Sequence, residues 1–368
     1  MSKLFNTFNG SKVIVTGHTG FKGSWLSIWL ESLGAEVFGI SDNYSITNPS
    51  HFIISGIKDK IKNFNRDIRD FEGINKIVKE IKPDFIFHLA AQPLVKDSYN
   101  IPLDTWHTNT IGTLNILESL RSIKHKCIAI FITSDKCYEN FEWEFGYREN
   151  DKLGGIDPYS SSKAAAEIGI SSYFRSYFLN QKIIKIGIAR AGNVIGGGDW
   201  AKDRIVPDCI RSCANNEVVY LRNPNSTRPW QHVLEPISGY LSMAIKLNES
   251  SSLNGEAFNF GPPANQIFSV NDLVEEMSKY WEKVNWKIKS DTINNFHEAG
   301  LLKLNIDKAI KYLQWHATWD FKTTIKMTTI WYKKFYEKSY DFKKSNITKL
   351  QIEKYCEDAK NHELFWAK

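Results

Sequence analysis

The chain has 368 residues, 42% of them hydrophobic, enough to bury a large core as one large domain or two closely joined ones. Lys and Arg exceed Asp and Glu by 47 − 41 = 6, a balance that suits an anionic small molecule and falls short of a nucleic-acid footprint. No stretch approaches the roughly 18 apolar residues of a membrane span and residues 1–10 carry no secretory apolar region, so a cytoplasmic protein without membrane attachment is expected. The five cysteines are odd in number and scattered, which reads as free thiols, and Cys209 and Cys213 have no companion ligands, which argues against a metal site.

In chain order, residues 12–16 read as a short buried strand, closed by Gly17, Gly20, Phe21 and Gly23 and followed by an apolar helix carrying Trp25, Leu26 and Trp29. Strand, glycine turn and helix together suit a pyrophosphate, because the backbone must turn sharply and meet the anion with a helix N-terminus. The spacing, G-x-x-G-x-x-G, differs from the ordinary dinucleotide fingerprint. Residues 36–40 form the next strand and end at Asp42, placed to accept hydrogen bonds from an adenosine ribose and to favour NAD over NADP; the alternative is a surface Asp in a turn.

Helices over 71–81, within 102–121 and over 158–178 alternate with strands over 84–89, 126–133 and 183–189, an order that predicts a doubly wound parallel α/β sheet. Leu89, Ala90, Ala91 and Gln92 close one strand with mostly small residues against which a cofactor can lie. His88 reads as a hydrogen-bonded histidine at a strand end, and Asn109, a candidate for the cofactor side, fits either a polar tie to the sheet or a solvated position.

Two groupings carry the chemistry. Ser134, Asp135 and Lys136 follow a β-rich run and belong at the carboxyl end of a strand, where open α/β sheets hold ligands. The strand must end before Asp135, since adjacent residues of a regular strand face opposite ways and Asp135 and Lys136 must address one substrate. Tyr159 and Lys163 lie four apart on one helix face, so the ammonium can favour the phenolate. Farther on come Asn193, the glycine loop ending at Trp200, then Arg204, Arg222 and Arg228; arginines can grip a phosphate and an indole face such as that of Trp200 can stack on a base or sugar, so these residues define a substrate lobe. A strand should return near 255–261, residues 270–281 form an amphipathic helix, and the residues beyond 340 read as a polar tail.

The Thr16 to Gly23 turn and the Tyr159-x-x-x-Lys163 helix resemble the extended short-chain dehydrogenase/reductase family. Residues 17–25, 133–140, 192–201 and 228–236 are similar to its NAD-dependent sugar-nucleotide 4,6-dehydratases, those acting on CDP-glucose in particular. The resemblance implies a Rossmann-type NAD-binding domain over 1–191, a mainly sugar-nucleotide-binding lobe over 192–340, and adenine near Asp67 and Ile68. It implies that Tyr159 is the base at a sugar hydroxyl, that Lys163 holds the nicotinamide ribose, that Lys136 and Asp135 are base and acid for loss of water, and that Ser134 bonds the C4 oxygen. It also implies a homodimer through helices 102–121 and 158–178, or a dimer of dimers. A 4-epimerase, a dehydratase of another nucleotide sugar and a non-catalytic NAD-binding protein are the alternatives.

Overall fold

The structure is a computed structural model and describes residues 2–42, 47–202, 204–221, 223–264, 266–288, 301–337 and 346–368. Arg222 therefore lies outside the described residues.

Seven parallel strands make the main sheet, in the order β11-β6-β5-β4-β1-β2-β3. They are β1 (Lys12–Thr16), β2 (Glu36–Ser41), β3 (Lys62–Asn65), β4 (Phe85–His88), β5 (Cys127–Ile132), β6 (Ile184–Ala191) and β11 (Ala257–Phe260). The expected doubly wound α/β sheet is thus present, and the strand near 255–261 returns beside β6. The chain reverses its direction of winding between β1 and β4, which opens a crevice at the carboxyl edge there. Central strands are apolar on both faces because helices cover both. In β5 all six residues are buried, and period-two alternation sends Ile128, Ile130 and Ile132 to one core and Ala129 and Phe131 to the other.

The second lobe is built on short pairs: β7 (Val194–Ile195) with β10 (Gln231–His232), β8 (Val219–Leu221) with β13 (Trp286–Ile288), and β9 (Thr227–Arg228) with β12 (Phe268–Ser269). Helices Ile205–Ala214, Val270–Ser278 and Phe321–Tyr336 pack among them, helix Leu234–Glu249 lies on β5 and β6 of the main sheet, and Trp315, Trp319 and Trp331 lie in the shared core.

Residues 346–368 correct the expectation of a polar tail. They form a helix, Ile347–Asn361, and a final turn that is part of the main core. Ile352, Tyr355 and Ala359 repeat at helical spacing and bury one face, while the lysines lie on the other. Tyr355 stacks on Trp366, Trp29 meets both rings edge-on, and Lys349 pairs with Glu31 at 2.7 Å. This segment therefore braces the helix that follows the glycine turn. Among the described residues no helix is long and apolar enough to cross a membrane.

Candidate active site

The glycine turn is tied to the sheet by its backbone: Gly17 donates to the Ile40 carbonyl at 2.8 Å and Gly20 to that of Gly17 at 3.1 Å. Gly17 has φ +72°, and a Cβ there would stand 2.8 Å from the Ala90 backbone; one at Gly23 would stand 2.1 Å from the Gly17 oxygen. Only glycine satisfies both the conformation and the approach. Helix Phe21–Ser32 starts with no side-chain cap at Gly20 and no acidic residue in its first turn, so its N–H groups remain for an anion. Asp42 directly follows β2, and the Thr19 and Ser41 hydroxyls meet at 2.8 Å beside it.

Facing this turn, the Thr16 hydroxyl accepts from the Leu89 and Ala90 amides at 3.1 and 3.2 Å. Asn109 is the polar tie rather than a solvated position. Buried in the helical stretch His107–Ile111, it accepts from the Gln92 amide at 2.8 Å and donates to the Gln92 carbonyl at 3.1 Å and to the Ser162 hydroxyl at 2.9 Å. Asn109 thereby fixes the 89–92 loop against the Tyr159 helix. His88 bonds Thr16 at 2.8 Å and Thr113 at 3.1 Å, and burial holds its pKa down to about 3. Asp67 pairs with Arg69 at 2.6 Å, and Ile68 is a core residue under Gly112.

The strand carrying the second grouping ends at Ile132, and a single tight turn, Asp135–Cys137, begins two residues after Thr133. The demand that regular strand stop before Asp135 is met. Ser134 donates to Asp135 Oδ1 at 2.9 Å and accepts from the Lys136 amide at 3.2 Å, so the turn is capped by its own serine. Burial raises the Asp135 carboxyl, against the pull of Lys136, Ser134 and Lys22. Lys136 is half-buried.

Tyr159 and Lys163 sit on helix Pro158–Tyr173, both buried, with Asp157 capping the helix through the Ser160 amide at 2.9 Å. The electrostatics differ from the expected pairing. Burial raises the Tyr159 phenol to about 12; the Ser134 hydroxyl and the Arg204 guanidinium oppose the rise, and Asp135 adds to it. Lys163 is itself lowered to about 8 by burial and by Lys22, and its ammonium has no hydrogen-bond partner among the described residues. In the chain alone the phenol is therefore protonated at neutral pH. A lysine ammonium that burial and Lys22 lower in pKa, an uncapped helix start and a glycine cradle fit a dinucleotide lying from Asp42 to Lys163.

Sequence reasoning missed Lys22. Burial and Arg204 lower it to about 8 while Asp135 opposes, which places this lysine between the glycine turn and the acid. Its position inside the turn, between Gly20 and Gly23, was the available signal.

Of the substrate candidates, Arg204 comes within electrostatic reach of Tyr159 and pairs with Asp199 at 2.8 Å, which raises its pKa. Asn193 follows Gly192, where a Cβ would stand 3.3 Å from Asp135 Oδ2. Gly192 also lines a cavity with Pro229, Gly261, Pro263, Lys303 and Leu304, so the cavity opens beside the acid. Arg228, at the edge of β9, donates to the Thr227 carbonyl at 2.8 Å. Trp200 departs from the expectation of a stacking face. The residue is 5% exposed, with Trp331, Tyr332 and Phe335 packed around it at 5.0 to 5.9 Å, and it belongs to the main core. No cluster of His, Cys, Asp or Glu among the described residues is arranged to hold a metal ion.

A parallel sheet with a glycine turn after its first strand and a Tyr-x-x-x-Lys helix at its carboxyl edge is the architecture of an extended short-chain dehydrogenase/reductase. Residues 14–328 match the family model described as GDP-mannose 4,6 dehydratase, and the chain belongs to that family. It is 46% identical over 334 residues to the CDP-glucose 4,6-dehydratase of Salmonella typhimurium, covering 89% of this chain and 92% of that one. It is 27% identical to the CDP-paratose 2-epimerase of Salmonella typhi, over 73% of this chain and 84% of that one. Among solved structures, a dTDP-glucose 4,6-dehydratase of Bacillus anthracis in complex with NAD superposes with a TM-score of 0.71 at 22% identity, covering 88% of this chain and 97% of that one.

Proposed function

We propose that this chain is an NAD-dependent dehydratase that converts CDP-D-glucose to CDP-4-dehydro-6-deoxy-D-glucose. The observation that carries the reading is a buried Ser134–Asp135 pair, bonded at 2.9 Å, that adjoins Gly192 of the cavity, together with a buried Tyr159 that has the partly exposed Arg204 within electrostatic reach. An epimerase needs no acid at C6, and a buried, raised carboxyl is what a proton donor requires. The 46% identity to the Salmonella typhimurium enzyme supports cytidine as the base.

Bound NAD supplies the acceptor for the C4 hydride and the donor that returns it to C6. Tyr159 takes the proton of the C4 hydroxyl, whose oxygen the Ser134 hydroxyl holds. Lys163 binds the nicotinamide ribose, and added positive charge on the cofactor side brings the phenol down from about 12 toward the working range. The C4 ketone acidifies C5, from which Lys136 removes the proton, Asp135 delivers a proton to the departing C6 hydroxyl, which leaves as water, and Lys136 gives its proton back to C5 when the hydride returns to C6. Arg204 and Asn193 hold the sugar-nucleotide on the far side, and Asp42, Asp67 and residues 89–92 line the cofactor.

The protein works in the cytoplasm as a homodimer or dimer of dimers. Leu103, Trp106 and Ile111 on one helical stretch and Ile168 and Tyr177 on the other are exposed apolar side chains suited to such an interface. Incubation with NAD and, in parallel, CDP-glucose, dTDP-glucose, UDP-glucose and GDP-mannose tests the function. The expected result is a 4-keto product, absorbing in the ultraviolet in base, from CDP-glucose and with deuterium carried from C4 to C6. A 4-epimer, or a product from another nucleotide sugar alone, overturns it.

A further inference from the structure

Glu167 is a buried carboxylate that the mechanism above does not use. It stands on the Tyr159 helix one turn beyond Lys163 and two beyond Tyr159, 2% exposed. It accepts from the Thr133 hydroxyl at 2.6 Å and from Arg190, whose Nε lies 2.8 and 2.9 Å from its two oxygens and whose Nη2 also bonds it. Arg190, on β6, continues to the Tyr138 phenol oxygen at 2.6 Å and the Glu149 carbonyl at 2.9 Å. Tyr138 in turn donates to Asn259 of β11 at 2.7 Å.

Thr133 and Tyr138 are the residues that flank the Ser134 to Cys137 segment on either side. One buried ion pair therefore fastens the segment bearing Asp135 and Lys136 at both ends, and does so from the helix bearing Tyr159 and Lys163. A buried Glu–Arg pair adds little net stability over well-packed apolar side chains. Here its geometry supplies another reason for it. We infer that Glu167 and Arg190 are positioning residues that hold the elimination pair, Asp135 and Lys136, in register with the oxidation pair, Tyr159 and Lys163; the inference rests on the dehydratase reading above.

The two halves of the reaction depend on this clamp unequally. Oxidation at C4 uses Tyr159 and Lys163, which share a helix with Glu167, and takes from the clamped segment only the Ser134 hydroxyl, next to Thr133. Loss of water needs Asp135 and Lys136 to reach C5 and C6 of the same sugar, across the clamp. Misplacement by about 1 Å is enough to cost on the order of 100-fold in rate, so a loosened clamp slows elimination while oxidation continues.

The test uses the full chain with NAD and CDP-glucose. Thr133→Val deletes one bond of the clamp and leaves the ion pair intact, and Thr133→Ser keeps the hydroxyl. Thr133→Val is expected to lower kcat about tenfold with KM unchanged and to raise the steady-state share of reduced cofactor, read by its near-ultraviolet absorbance. Thr133→Ser should restore both, and the melting temperature of each variant checks its fold. Glu167→Gln should give the same signature more strongly. Wild-type kcat in Thr133→Val, or a lower kcat without reduced cofactor building up, overturns the clamp. Wild type run in parallel separates the two readings: if it makes no 4-keto sugar the dehydratase reading falls and the clamp with it, whereas if it does and Thr133→Val matches it, the clamp alone falls.

Discussion

Along the carboxyl edge of the sheet, the half of the site after β1 and β2 is shaped by backbone, whereas the half after β5 and β6 is shaped by buried charge. On the first side, glycines at 17, 20 and 23 pack main chain on main chain, and Thr16 and Asn109 hold the 89–92 loop by its amides. On the second, Asp135, Tyr159, Lys163, Glu167 and Arg190 are ionisable side chains removed from water. The difference follows from the tasks. Binding a pyrophosphate needs close approach and fixed dipoles, while moving protons needs groups whose ionisation the interior can shift.

That contrast can be broken or sharpened experimentally. Tyr159→Phe attacks the charged side at its centre and should lower kcat by about 10²- to 10⁴-fold, the usual scale of general base catalysis, with nucleotide-sugar binding retained in calorimetry. Glu167→Ala leaves Arg190 buried without its partner and should cost about 3–5 kcal/mol of stability in urea unfolding. On the backbone side, Gly17→Ala forces φ +72° on a residue with a Cβ that meets the Ala90 backbone at 2.8 Å. The strain is about 1–2 kcal/mol, and NAD affinity should fall while the pH profile of turnover keeps its shape. The smallest effect is expected away from the site, at Glu235, which accepts from the Thr318 and Trp319 amides and the Tyr355 phenol. Burial raises its pKa from 4.5 to about 7, so the folded chain binds this proton more tightly than the unfolded one. Its stabilising contribution is complete below about 4.5 and is lost as pH rises through about 7. Glu235→Gln should flatten the fall of melting temperature across that window.

Strands β1, β2, β4, β5 and β6 were legible because they are nearly continuous apolar runs, whereas the edge strand β3, Lys-Asn-Phe-Asn and mostly exposed, was not; helix Phe71–Ile81 keeps a 3.6-residue period and falls on the predicted residues. The glycine turn and the placement of Asp135 outside regular strand were legible for the same local reason. Trp200 was not, since an indole in a glycine loop looks the same in sequence whether it stacks on a ligand or fills a core. Nor was the protonated state of Tyr159, because four-residue spacing reveals a neighbouring lysine but not how much water both have lost. Residues 346–368 hid their apolar stripe in a lysine-rich composition, although Ile352, Tyr355 and Ala359 carried the period. The Thr133–Glu167–Arg190 clamp joins three segments of the chain, and nothing local marks it.

Helix Phe21–Ser32, whose start is left bare for an anion, carries two buried indoles of its own, and a third packs against it. Trp25 donates to the Gly197 carbonyl at 2.8 Å, Trp29 lies against Trp366, and Trp331 bonds Thr348 at the head of the C-terminal helix. Undocking of that helix would wet these rings, so native tryptophan emission is an optical gauge, needing no label, of whether the far end of the chain is supporting the phosphate cradle.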